Sequence, residues 1–165
     1  MKEPITFENS VLKGTVFGER ITAMFLGGPV EAVLAPWEEI RKLGFEPRDR
    51  TYGSLQDGTP ALAFNRWDPE QHRDWWFVTT ESLEDILGQK LRTTDDLANW
   101  MIGNRVLVLG GMFPVDGTVT AILGVTEHEA TFRCGGRRLR LKDTEMRDLV
   151  DKGTAETPRG RLVIS

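Results

Sequence analysis

The side chains able to do chemistry crowd into two short stretches. The first is Asn65-Arg66-Trp67-Asp68-Pro69-Glu70-Gln71-His72-Arg73-Asp74-Trp75-Trp76. Asp68, Glu70, His72 and Asp74 alternate, and on a continuous strand they would share a face carrying metal-ligand types. Pro69 and the polarity around it make a hairpin tip instead, where four side chains need not converge, so no metal site is expected. The tryptophans carry more. Trp75 and Trp76 are neighbours and must point to opposite faces of a strand, so both are buried only if the sheet is covered on both sides. An exposed tryptophan beside Arg66 and Arg73 has the composition of a protein-protein hot spot. The competing reading places Trp67, Trp75 and Trp76 in the core, where sheet meets helix.

The second stretch is Arg133-Cys134-Gly135-Gly136-Arg137-Arg138-Leu139-Arg140-Leu141-Lys142, with five cations and no acid. With Gly135-Gly136 as a hairpin turn, Leu139 and Leu141 face the core. Arg138, Arg140 and Lys142 then line the outer face at intervals of about 7 Å. That interval resembles the phosphate repeat of a single nucleic-acid strand, and Phe113 or Phe132 would offer a stacking surface. An acidic protein patch would suit the same cations. The plainest reading is a solvated face whose charges discourage edge pairing.

Catalytic signatures are missing. The sequence has no Gly-X-Ser-X-Gly elbow, no Gly-rich loop ending in Gly-Lys-Ser/Thr and no His-Glu-X-X-His helix. Glu127-His128-Glu129 pairs a base with carboxylates but falls in an expected turn between strands. Cys134 follows Arg133, which would favour its thiolate; a buried strand residue is the expected role. No catalytic residue and no cofactor is expected.

The elements that must hold these stretches read as follows. Ile5–Phe7, Val11–Leu12, Thr15–Phe17 and Ile21–Leu26 are short strands separated by turn residues, among them Gly14 and Gly18-Glu19. Val30–Ala35 pairs back across Gly27-Gly28-Pro29. A helix opens at Pro36, with Glu38 and Glu39 in its first turn and Gly44 as its stop. Residues 46 to 60 form a polar loop. Ala61–Trp67 and Asp74–Thr79 make the Trp-bearing hairpin. Two helices follow, one capped at Thr80 and stopped at Gly88, the other capped by Thr94, or by Thr93 with Asp96, and ended at Gly103. Strands at Val106–Leu109, Gly117–Ile122, Glu129–Arg133 and Arg138–Lys142 come next, then a helix from Thr144 to Lys152. Arg161–Ile164 is expected as an edge strand, and Thr154–Gly160 as a mobile stretch.

The run Arg105-Val106-Leu107-Val108-Leu109-Gly110-Gly111-Met112-Phe113-Pro114-Val115-Asp116-Gly117-Thr118-Val119-Thr120-Ala121-Ile122 resembles the KOW-type and Tudor-like members of the small SH3-like barrels. A valine-alternating strand turns through glycines and continues with Gly-X-Val into a second strand. The resemblance spans Asn104 to Lys142 and implies a small barrel that binds nucleic acid or protein rather than one that catalyses. Met112, Phe113 and Asp116 stand where such domains usually carry basic loop residues.

Composition sets the outer limits. The 165 residues are 39% hydrophobic and 28% charged, with a formal net charge of −4, which excludes a disordered chain. A single cysteine excludes an internal disulfide framework and suits a reducing compartment. No secretory signal or membrane span is read, so a cytoplasmic protein is expected. Residues 1–102 sum to −6 and residues 103–165 to +2. The expectation is an α+β protein: residues 1–102 an antiparallel sheet with short helices, residues 103–165 a small SH3-like barrel with a C-terminal helix and tail. Its expected role is a non-enzymatic module of the inhibitor, immunity, adaptor or virion-component class. It would bind another protein through Arg66, Trp67, Arg73, Trp75 and Trp76 and through Arg133, Arg137, Arg138, Arg140 and Lys142. The alternative is nucleic-acid or ribonucleoprotein binding by the C-terminal barrel.

Overall fold

β-branched and aromatic residues alternate over most of the chain, and the fold follows them: α+β, dominated by curled sheets with short helices. The structure, a computed structural model, describes residues 2–25, 27–109 and 116–164. The chain divides into two compact units, Met1–Gly88 and Gln89–Ser165.

The first unit contains β1 (Glu3–Glu8), β2 (Lys13–Phe25), β3 (Gly28–Leu34), α1 (Trp37–Ile40), β4 (Arg50–Leu55), β5 (Pro60–Asp68), β6 (Arg73–Thr79) and α2 (Leu83–Leu87). Its strands run in the order β1-β2-β3-β6-β5-β4, and β4 pairs back onto β2 at Ala23↔Leu55 and Met24↔Ser54. Five strands thereby close into a ring, with β1 lying along the first half of β2. The ring's inside is built from Ala23, Ala32, Ala61, Ala63 and Val78, with Phe25, Leu55 and the half-buried Trp76 packed against them. The buried centre of so narrow a ring is filled by small side chains. The opposite face carries Phe7, Phe64 and Phe77, all buried, with Phe45 over the last two. Both faces of β5 and β6 are thus covered, and Trp75 and Trp76, on opposite faces, are each half-buried.

Four sequence expectations change in this unit. Val11–Leu12 is not a strand but part of the β1–β2 turn, where both amides donate to Asn9 Oδ1 (2.9 and 2.8 Å). The anticipated break at Gly18-Glu19 does not occur, because β2 is one strand of 13 residues. Gly18 is there for space: a Cβ would lie 2.6 Å from the Leu34 carbonyl oxygen. The polar loop at residues 46 to 60 contains β4, whose alternation is hidden by small and polar residues facing a ring of alanines. The helix expected to be capped at Thr80 is capped by Ser82, whose hydroxyl accepts from the Asp85 amide.

The second unit contains α3 (Thr94–Met101), β7 (Arg105–Leu109), β8 (Asp116–Val125), β9 (Glu129–Cys134), β10 (Arg137–Lys142), α4 (Asp143–Lys152), β11 (Thr154–Thr157) and β12 (Gly160–Ile164). The order is β10-β9-β8-β7-β12-β11, antiparallel throughout. β8 bends at register shifts between Val119 and Ala121 and between Ile122 and Gly124. Bulges of this kind curl a sheet over its core, here Val106, Val119, Phe132, Leu139, Leu141, Met146, Leu149 and Leu162. The turn of the β9–β10 hairpin lies hard against the start of β8, where a Cβ on Gly117 would sit 2.5 Å from the Gly135 Cα.

Here too the structure corrects the sequence reading. The division falls at Gly88 rather than Gly103, because α3 packs on β8, β9 and α4. The change to all-β patterning marks the first strand of the second unit, not its first residue. Thr154–Thr157 is a strand and not a loose stretch. Arg161–Ile164 is not at the edge, since β12 lies between β7 and β11. The Gly110-Gly111 turn and Phe113 lie outside the described residues.

Candidate binding surfaces

The Trp-bearing hairpin is organised by one carboxylate. Asp68 is fully buried and accepts four hydrogen bonds: from Trp75 Nε1 (3.1 Å) and Asn9 Nδ2 (3.0 Å) on Oδ2, and from the amides of Glu70 (3.0 Å) and Gln71 (3.2 Å) on Oδ1. The Trp75 indole above all, helped by the two amides and the Arg73 charge, holds its pKa below the usual carboxylate value against the opposing effect of burial. Asp68 therefore builds the turn. Among the described residues no group of three or more His, Cys, Asp or Glu is placed to hold a metal ion.

Most of the hairpin's other groups are engaged internally. Arg66 donates to the Val11 carbonyl (3.0 Å) and lies over the Phe45 ring (4.5 Å), so it tethers the β1–β2 connection to β5. Arg73 stacks on Trp75 with its guanidinium carbon 3.9 Å from the indole centroid. Trp75 meets Phe7 edge-on at 5.1 Å, and Trp76 lies on Phe25 at 4.4 Å. Only Trp67 stands out, 51% exposed, with His72 against it at 6.4 Å. Five residues proposed together from sequence thus reduce to one exposed indole on a well-tied hairpin.

The basic strand differs, because its cations stand exposed. Arg133, Arg137, Arg138, Arg140 and Lys142 are all exposed, while Leu139 and Leu141 are buried. The turn between β9 and β10 is two glycines at φ +58° and +79°, so the closing pair Cys134↔Arg137 exchanges the ladder bonds. By alternation Arg133↔Arg138, Thr131↔Arg140 and Glu129↔Lys142 are the non-hydrogen-bonded pairs, whose side chains stand closest together. Two guanidinium groups therefore face each other directly across the strands, an arrangement that costs stability when left bare. Among the described residues neither has an acid within ion-pair distance. At the far end Arg140 reaches Glu129 at 3.9 Å, an exposed pair of little worth.

Sequence reasoning missed Arg159. It sits in the β11–β12 turn and donates from Nη1 to the Arg138 carbonyl at 3.3 Å, adding a further cation beside the Arg133–Arg138 pair. The Pro158-Arg159-Gly160 turn was the available signal. Phe132 was expected to offer stacking but is wholly buried. Cys134 is buried, donates to the Gly117 carbonyl (3.3 Å) and has its pKa pushed up by burial, so it is no reactive thiol. The Glu127-His128-Glu129 turn works through its backbone: Thr94 Oγ1 donates to the Glu127 carbonyl, and the Asp143 amide to that of His128. Among the described residues no helix is long and apolar enough to cross a membrane.

Compared with family models, curated proteins and solved structures, the chain matches none.

Proposed function

We propose that this chain is a non-enzymatic binding protein whose second unit takes an acidic protein partner on the cationic face of β9 and β10. The observation that carries the reading is the bare Arg133–Arg138 pair, which has no acid within ion-pair distance among the described residues and has Arg159 beside it. A partner's carboxylates would relieve that repulsion and gain charge-assisted, bidentate hydrogen bonds. The reading is supported by strand order as well. Four consecutive strands in a meander, with a later strand returning beside the first, is the order a small SH3-like barrel would have. In this reading α4 and β11 are additions to that plan. Fold analogy alone is an associational argument, so the charges carry the weight.

The regular spacing of Arg138, Arg140 and Lys142 favours a second reading, single-stranded nucleic acid. Against it stand the burial of Phe132 and the −6 balance of the first unit, counted over residues 1–88. The test is an Arg133→Glu, Arg138→Glu double variant with unchanged circular dichroism. A pull-down from the native host should recover one stoichiometric acidic protein with the parent and lose it with the variant. Loss of salt-sensitive oligonucleotide binding instead would select the second reading. Equal capture by parent and variant removes the basic face from the function.

A further inference from the structure

The geometry of the β9–β10 hairpin says which way its backbone points. With Arg138, Arg140 and Lys142 in non-hydrogen-bonded positions, their N–H and C=O groups face away from β9, along the outer edge of β10. Two of these are already used: Arg159 bonds the Arg138 carbonyl (3.3 Å), and Glu145 Oε1 accepts the Lys142 amide (2.8 Å). Between them, Arg140 offers a donor and an acceptor with no partner among the described residues. Beside this segment lies a groove of about 180 Å³, floored by Val108, Leu139 and Leu162 and walled by Pro158 and Arg159 of the β11–β12 turn. Its rim also carries Lys142, Glu129 and Glu145. An edge whose Arg138 carbonyl and Lys142 amide are already bonded, with both groups of Arg140 open between them, suits a short segment and rejects a long one.

We propose that this groove takes a short extended peptide segment of the acidic partner, its backbone pairing with Arg140. This rests on the acidic-partner reading and specifies its chemistry. A residue opposite Arg140 projects its side chain to the same face as Arg140, between Arg138 and Lys142, so that residue is acidic. Its two neighbours point the other way, toward Leu139 and Leu162, so they are apolar and of valine size, as the groove volume requires. The recognised segment therefore alternates acidic and small aliphatic residues. Main-chain bonds supply affinity and the alternation supplies specificity.

The experiment uses the full chain and three fluorescein-labelled pentapeptides of equal charge. They are Asp-Val-Asp-Val-Asp, the same peptide N-methylated at its central residue, and Asp-Asp-Asp-Val-Val. The alternating peptide should bind about fivefold or more tighter than either control, the worth of about one hydrogen bond. It should also slow hydrogen exchange at the Arg140 amide. Equal binding of all three with no protection of Arg140 overturns the groove while leaving an acidic partner in place. If none binds but a thymidine oligonucleotide does, the groove and the acidic-partner reading fall together.

Discussion

Replacing Gly117 by alanine tests the packing that curls the second unit and carries its basic hairpin. The new Cβ would meet Gly135 Cα at 2.5 Å and Gly135 N at 2.7 Å, where ordinary carbon contacts lie at about 3.5–4.0 Å. Both obstacles are backbone, so no side chain can swing aside, and β8 must part from the hairpin turn by about 1 Å. The Cys134–Gly117 hydrogen bond (3.3 Å) crosses the same gap and opens with it. Overpacking of this kind costs about 1–3 kcal/mol, and the lack of any flexible partner puts this case near the top. Gly124 is the control: it lies in the same strand, has no atom within 4 Å of its added Cβ, and should tolerate alanine within about 0.5 kcal/mol. Native-state hydrogen exchange separates the two units in the intact chain. Gly117→Ala should speed exchange of the Phe132 and Leu139 amides by up to about 100-fold, with Phe64 and Phe77 unchanged. Parent-like exchange at Phe132 in Gly117→Ala, or an equal effect from Gly124→Ala, refutes the reasoning.

Three further outcomes follow from the site geometry. Because the folded-state pKa of Asp68 is depressed, its carboxylate stabilises the first unit at and above ordinary carboxylate pH, and that contribution is lost as pH falls through the lowered value. Asp68→Asn should therefore lower the thermal midpoint near pH 7, with the gap to the parent closing below about pH 4; a gap constant with pH would deny the carboxylate its role. Trp76→Ala removes the indole stacked on Phe25 and should cost about 2–3 kcal/mol in urea unfolding, while Trp67→Ser should cost less than about 0.5 kcal/mol. Equal costs would show that the exposure of Trp67 had been misread. Cys134 should resist a thiol-disulfide reagent at pH 8 in the native chain and react promptly in urea, and rapid native labelling would contradict its burial.

Features encoded by neighbouring residues were legible without coordinates. The Thr93–Asp96 capping box, one of the two caps the sequence offered for α3, is such a case: the Thr93 hydroxyl accepts from the Asp96 amide and the Asp96 carboxylate from the Thr93 amide. So are the left-handed stops at Gly44 and Gly88 and the two-glycine turn that sets the register of the basic strand. Strand alternation alone put Leu139 and Leu141 inward and the cations outward. β4 was illegible because its neighbours across the ring are alanines, so it needs no large apolar side chains of its own. The unity of β2 was hidden because Gly18 reads as a turn until Leu34 is seen pressing on it.

What the sequence determined by itself was therefore local: caps, turns, alternation, the acid-free run of cations and the opposite facing of Trp75 and Trp76. Each depends on residues a few positions apart, whose geometry the backbone imposes directly. The tertiary structure decided which of those groups remain available. It engaged Arg66 on Val11 and Phe45, placed Trp75 against Asp68, Arg73 and Phe7, and left only Trp67 bare. It also brought Arg159 from a distant turn to Arg138 and set a groove beside the open backbone groups of Arg140. Those outcomes depend on contacts between residues far apart in the chain, so no local pattern announces them.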